Sequence, residues 1–160
     1  MTLVVCDTGP VNYLILIDHI GLLPALANRV VLPQAVLREL LNANAPAPVR
    51  AWAASLPGWI EVASAIQSME TKGLSAADCE AIMLAKELNA TLLLTDDRQA
   101  RRCAVGFGLA TMGTLGLLEA AAQRGMISLP HSLRRLRATS CFLADDLVEA
   151  ALKRDRDRQR

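Results

Sequence analysis

The sequence predicts one α/β domain: a five-stranded parallel sheet with helices on both faces. Three observations point there. Short apolar runs recur without the alternation of a half-exposed strand, as in parallel strands covered on both sides. Segments with helical spacing separate them. The chain has 160 residues, 52% hydrophobic and 21% charged, which suits one medium domain with a substantial core.

Leu3 to Cys6 reads as the first strand, followed by Asp7-Thr8-Gly9-Pro10 and a helix with Pro10 in its first position, continuing through Val11 to Ile17. Leu22 to Ala27 is a short helix, and Arg29 to Leu32 a second strand closed by Pro33. Gln34 to Leu41 places Val36, Leu37, Leu40 and Leu41 on one helical face and Glu39 on another. Val49 to Ser55 is a helix around Trp52, and Trp59 to Val62 the third strand. Ser75-Ala76-Ala77-Asp78 forms a capping box that opens the clearest helix, Ala76 to Leu88, with Asn89 as its left-handed stop.

Thr91 to Thr95 is the fourth strand, ending in Asp96-Asp97. A helix from Arg98 to Val105 follows, stopped by Gly106. Leu109 to Thr111 is the last strand. Thr114 to Arg124 is a helix ended by Gly125, and helices near Leu133 to Ala138 and Asp145 to Arg156 complete the chain. The count is five strands and about eight helices, with no internal repeat.

Composition excludes several classes. Every long apolar run is broken by Asp, Arg, Pro or Gly, so no span of about 20 apolar residues exists. The N-terminus lacks a basic segment and meets an acid at Asp7, unlike a secretory signal, so a cytoplasmic chain is expected. The four cysteines, Cys6, Cys79, Cys103 and Cys141, are far apart and suit small buried hydrophobes. With two histidines only, any metal must be held by oxygen. Aromatics at 3% remove the stacking platforms that RRM or OB-type single-strand binders rely on. No P-loop or G-x-G-x-x-G fingerprint occurs. A receiver domain would need an acidic pair after the first strand and a Lys after the fifth. Here one Asp follows the first strand, and no Lys lies between residues 87 and 152. A dehalogenase-like site would need an acid at position 9, which is Gly.

The net charge of +1 conceals an asymmetry. Residues 1–97 carry five basic and ten acidic side chains and residues 98–160 twelve and six, so the parts are net −5 and +6. Either this is chance plus a solvated C-terminal helix, or carboxylates of the first part work with arginines of the second.

The acids stand where ligands bind in such folds. Asp7 ends the first strand, Asp96 the fourth; Glu39 lies in the third helix; Asp78 and Glu80 open the helix before the fourth strand. Open α/β sheets bind ligands beyond the strand C-termini, where strand order reverses. With the order 3-2-1-4-5, Asp7 and Asp96 face each other across that reversal. Clustered carboxylates need a shared proton or a cation. Oxygen ligands suit Mg²⁺ or Mn²⁺, and such an ion activates water and stabilises charge on a phosphodiester. Each of Asp7, Asp78 and Asp97 also reads as a helix N-cap.

These residues form an ordered series: Val4-Val5-Cys6-Asp7-Thr8-Gly9-Pro10 with Asn12, Leu37-Arg38-Glu39-Leu40, the run from Leu74 to Ala85, Leu94-Thr95-Asp96-Asp97-Arg98 with Arg101, and Gly113-Thr114-Leu115-Gly116. In it the chain resembles a PIN domain, specifically the bacterial and archaeal group allied to the VapC toxins. The likeness spans about residues 3 to 128, which makes residues 1–128 the nuclease core and 129–160 a C-terminal helical extension of the same domain.

The resemblance implies a metal-dependent endoribonuclease with Asp7, Glu39, Asp78 and Asp96 as its catalytic acids. Asp7, Asp78 and Asp96 are the metal ligands, and Thr8 and Asn12 the supporting polar residues. Where Gly-Glu is the pattern, this chain has Ala77-Asp78; the shorter Asp leaves Glu80 open to share or replace the role. Asp97 raises the same question for Asp96. Arg98, Arg101 and Arg102 are placed either to contact RNA phosphates or to form solvated helix surface. Gly113 to Gly116 is either a phosphate cradle or a site of close helix packing. Lys153 to Arg160 reads as a solvated helix end rather than an RNA-binding tail.

A toxin of this type implies an antitoxin protein that masks the cleft, and a homodimer. The competing expectation is a non-catalytic PIN-like module for nucleic acid or protein, its Asp78 too far from the metal.

Overall fold

The structure, a computed structural model, describes residues 3–160. Its sheet has five parallel strands in the order β3-β2-β1-β4-β5. They are β1 (Leu3–Cys6), β2 (Arg29–Pro33), β3 (Ile60–Ala63), β4 (Leu92–Leu94) and β5 (Thr111–Met112). The helices are α1 (Thr8–Leu16), α2 (Leu22–Leu26), α3 (Gln34–Leu40), α4 (Ala47–Ala54), α5 (Ala76–Glu87), α6 (Arg98–Gly106), α7 (Thr114–Gln123), α8 (Leu129–Arg137) and α9 (Asp145–Arg158).

The sheet separates two apolar layers, because successive strand side chains point to opposite faces. Val4, Cys6, Val30, Leu32, Leu92 and Leu94 meet α1, α2, α3, α4, α7, α8 and α9 on one face. Leu3, Val5, Val31 and Leu93 meet α5 and α6 on the other. Burying each Leu or Val stabilises by roughly 1.5 to 3 kcal/mol, and all four residues of β1 are buried. β1 therefore lies at the centre of the core and fixes where Asp7 emerges. Leu129, Leu133 and Leu136 of α8, with Val148 and Ala151 of α9, join the larger layer.

Local chemistry explains most boundaries. Ser75 and Asp78 make both bonds of the capping box at α5, and Asn89 (φ 50°) and Gly125 (φ 71°) take left-handed conformations after α5 and α7. Several boundaries differ from those predicted: β5 is Thr111–Met112 rather than Leu109 to Thr111, α4 starts at Ala47 rather than Val49, β3 is shifted by one residue, and three further helix starts or ends move for local reasons. α1 starts at Thr8, since Asp7 is its N-cap and Pro10 sits in the third helical position, where a missing N–H is harmless. α6 includes Gly106, and Gly108 (φ 79°) supplies the left-handed residue beyond it. α8 starts at Leu129 behind Ser128, whose hydroxyl accepts the His131 N–H. Among the described residues the helices number nine, against about eight from the sequence, and no helix is long and apolar enough to cross a membrane.

Candidate active site

Register brings the acids together. Cys6 pairs with Leu94, and Leu94 with Met112, so β1, β4 and β5 end at one level, next to the reversal in strand order. The Asp7 N–H donates to Leu94 O at 2.9 Å, and the Thr95 N–H to Met112 O at 2.9 Å. Asp7, Asp96 and Thr114 thus leave the same sheet edge.

Asp7 is buried, 4% exposed. Its Oδ1 accepts the Thr8 N–H at 2.8 Å and its Oδ2 the Thr95 hydroxyl at 3.0 Å. Burial, followed by hydrogen-bond contact with the Asp78 carboxyl and the Asp78 charge, pushes Asp7 up to about 8, against the opposing pull of Thr8 and Thr95. Asp78 reaches Asp7 because the capping box fixes it at the start of α5. Its Oδ2 accepts the Ser75 N–H at 3.1 Å, and its own N–H donates to Ser75 Oγ at 3.0 Å.

The first turn of α1 gathers the other two acids. Thr8 Oγ1 donates to Glu39 Oε2 at 2.5 Å. Thr8, Asn12 and Glu39 line a hollow of about 290 Å³, together with Asn42 and Asn44. Asp96 accepts the Thr114 N–H on Oδ1 at 2.7 Å and the Thr114 hydroxyl on Oδ2 at 2.6 Å. A Cβ on Gly9 would stand 3.4 Å from Asp96 Oδ2, so this carboxylate lies against the same turn. Asp7, Glu39 and Asp96, separated by up to 89 positions in the chain, are positioned around Thr8 and Gly9, with Asp78 meeting Asp7.

Glu80 and Asp97 are otherwise engaged. Glu80 Oε1 accepts the Ala35 N–H at 2.9 Å, binding the first turn of α3. Asp97 caps α6, its Oδ1 accepting the Ala100 N–H at 2.8 Å. Arg101 donates from Nε to Thr95 O at 2.9 Å and stands 3.9 Å from Asp96 Oδ1. Arg98 and Arg102 are exposed and, among the described residues, make no ion pair.

Among the described residues, two ion pairs join the oppositely charged parts of the chain, Arg135 to Asp18 and Arg101 to Asp96, whereas Arg137 to Asp145 and Arg154 to Glu119 lie within the basic part. At the C-terminus Asp155 is buried and held by Arg158 and by Gln159 at 3.0 Å, so the last turn is anchored as well as solvated.

Two site residues escaped the sequence reading. Thr95 binds Asp7, and Thr114 binds Asp96; both are buried. Their signal was a lone hydroxyl at the end of an apolar strand and another directly after a glycine. At Gly113 a Cβ would clash with Arg101 Nη2 and lie 2.8 Å from Asp96 Oδ1, and the Thr114 N–H is taken by Asp96, so the close approach of these two side chains requires the glycine.

All donors here are oxygens, and a buried carboxyl in contact with a second one keeps its charge only beside a cation. That chemistry fits a hard divalent ion at Asp7 and Asp78. Asp96 uses about two of its four acceptor sites on Thr114. Among the described residues, no three acidic, His or Cys side chains already stand in a metal-holding arrangement.

The model of a PIN domain family matches residues 3–156. Among solved structures, a PilT N-terminus domain protein from the hyperthermophilic archaeon Sulfolobus solfataricus P2 is similar in fold, with a TM-score of 0.53 and 19% identity over 76% of this chain and 93% of that one. A search of curated protein sequences gives no match. A family match over nearly the whole chain, with the sheet order and the acids at its reversal, leaves one assignment: the chain belongs to the PIN domain family, which has a nuclease-type fold.

Proposed function

We propose that this protein is a metal-dependent endoribonuclease that hydrolyses phosphodiester bonds of single-stranded RNA. The observation that carries the reading is the buried Asp7 carboxyl meeting Asp78 beside the sheet reversal. Asp7, Asp78 and Asp96 would hold Mg²⁺ or Mn²⁺, and Glu39 completes the acidic set from across Thr8. When bound, the ion supplies an activated water and neutralises charge on the phosphodiester.

The remaining residues position these acids and the substrate. Thr8 and Thr95 fix both oxygens of Asp7. Thr114 fixes Asp96, and Arg101, tethered to Thr95 O, places a guanidinium beside it. Arg98 and Arg102 contribute sequence-independent phosphate contacts. Asn12 supports the site from the Thr8 hollow. Glu80 and Asp97 act through helix capping. Residues 1–128 form the nuclease core, with residues 129–160 as its helical extension.

The resemblance to the VapC-allied group extends the proposal to a toxin restrained by an antitoxin protein over the acidic cleft, and to a homodimer acting in the cytoplasm. The test is cleavage of a broad single-stranded RNA panel with Mg²⁺ or Mn²⁺. Cleavage that disappears in Asp7→Asn supports the enzyme. A non-catalytic binding module is the second reading, favoured by the bonds that already occupy Glu39, Asp78 and Asp96; absence of cleavage by either metal across the panel would select it.

A further inference from the structure

Of five aromatic rings, four have an evident structural place. Trp52 and Trp59 face each other with centroids 6.3 Å apart, Tyr13 packs on the core, and Lys86 Nζ stands 4.8 Å from the Phe107 centroid. Phe142 is 88% exposed and, among the described residues, pairs with no ring or cation. Leu147, half exposed, lines the same groove, so the ring belongs to a continuous apolar patch rather than standing alone.

Phe142 lies between α8 and α9 and lines a groove of about 480 Å³, within the size range of ligand sites, roughly 300 to 1,000 Å³. The groove is continuous with the acidic site, for Asp96 and Gly113 line it too. The Asp96 charge, after burial, helps push the neighbouring Cys141 thiol up to about 11.

Its chemistry is divided. Leu115, Leu143 and Leu147 supply apolar lining beside the ring, and Arg98 and Arg101 supply cations. Arg101 is tethered to Thr95 O, whereas Arg98 is free for an anion; Glu119, also in the lining, is neutralised by Arg154 at 2.9 Å. A docking helix would want an uninterrupted apolar stripe. A nucleotide carries a flat apolar base and an anionic phosphate, which matches an exposed ring with a free guanidinium.

We propose that this groove is a nucleobase subsite, in which an unpaired base of single-stranded RNA stacks on Phe142 while Arg98 meets its phosphate. The proposal rests on the nuclease reading above, since it places the base next to the scissile phosphate at Asp96. The low aromatic content excludes a sheet-borne platform but not one ring beside the cleft. Stacking tolerates any base and requires one free of a duplex.

The test uses the full chain carrying Asp7→Asn, so that RNA stays intact, and a short fluorescent single-stranded RNA read by anisotropy at fixed salt. Phe142→Ala and Phe142→Leu should each weaken binding about tenfold, while Phe142→Trp retains it; the exposure of the side chain leaves folding intact, checked by the thermal midpoint. Parent-like binding by Phe142→Leu would mean that apolar contact suffices, as for a protein partner, and parent-like binding by Phe142→Ala that the ring is idle; either overturns the subsite. In an otherwise unaltered chain, cleavage with unchanged KM by Phe142→Ala, alongside loss of cleavage in Asp7→Asn, would remove the subsite and leave the nuclease standing. No binding of single-stranded RNA by the Asp7→Asn chain would end both.

Discussion

Asp96 grips Thr114 with both carboxylate oxygens, at 2.7 Å through the main-chain N–H and 2.6 Å through the hydroxyl. One acid of the site is thereby locked to the first residue of α7, on the strand-order side away from Glu39. Thr114→Val keeps the side chain's shape and deletes one bond. It should cost about 1 to 2 kcal/mol of stability in denaturant unfolding and lower RNA cleavage, with Thr114→Ser restoring both. Unchanged cleavage in the Val variant would show that Asp96 needs no such anchor.

Gly113 is needed for space, not for backbone freedom, since its φ is −95°. A methyl group would meet Asp96 Oδ1 at 2.8 Å, and that oxygen cannot retreat without breaking its bond to the next residue's N–H. Gly113→Ala should therefore destabilise by roughly 1 to 3 kcal/mol and reduce cleavage more than Gly58→Ala, where a Cβ meets nothing within 4 Å. Thermal midpoints and cleavage rates of the two variants decide it.

The Asp7 and Asp78 contact gives the ion-free protein a pH dependence. A carboxyl raised from its ordinary value near 3.9 to about 8 favours folding in its protonated form. That stability is fully present below about pH 4 and is lost as pH rises through about 8. With chelator present, the chain should melt at a lower temperature at pH 8 than at pH 5, and millimolar-range Mn²⁺ should restore the midpoint. Asp7→Asn should flatten the profile and, at pH 8, stabilise the ion-free chain by about 1 to 3 kcal/mol. A parent profile flat between those pH values would contradict the contact.

Glu80 is assigned to architecture by its bond to the Ala35 N–H. Glu80→Gln keeps an acceptor and should leave cleavage within about twofold, while Glu80→Ala should cost roughly 0.5 to 2 kcal/mol as a lost helix-end partner. Asp78→Asn should abolish cleavage. Equal losses in Glu80→Gln and Asp78→Asn would return Glu80 to the acidic site.

The sequence was most readable where one local rule governs. The unbroken apolar runs of β1 and β4 and the capping box of Ser75 and Asp78 each announced their elements, and the order 3-2-1-4-5, supposed because it sets Asp7 and Asp96 across the reversal, is the one the strands adopt. It was less readable where a long-range contact decides. Pro10 resembles the first residue of a helix, but Asp7 turns toward the Thr8 N–H and starts α1 two residues earlier. Glu80 looks like a spare ligand beside Asp78, and only the packing of α3 against α5 reveals its bond to Ala35. Thr95 and Thr114 stand inside the ordered series of motifs, but nothing local assigns them a role; their partners lie 88 and 18 residues away.

Whether acids distant in the chain hold one divalent ion is decided by calorimetric titration of Mn²⁺ into the parent, Asp7→Asn and Asp78→Asn. Saturable binding by the parent, weakened about tenfold or more in both variants, is the predicted result. Equal Mn²⁺ affinity in all three proteins would contradict it.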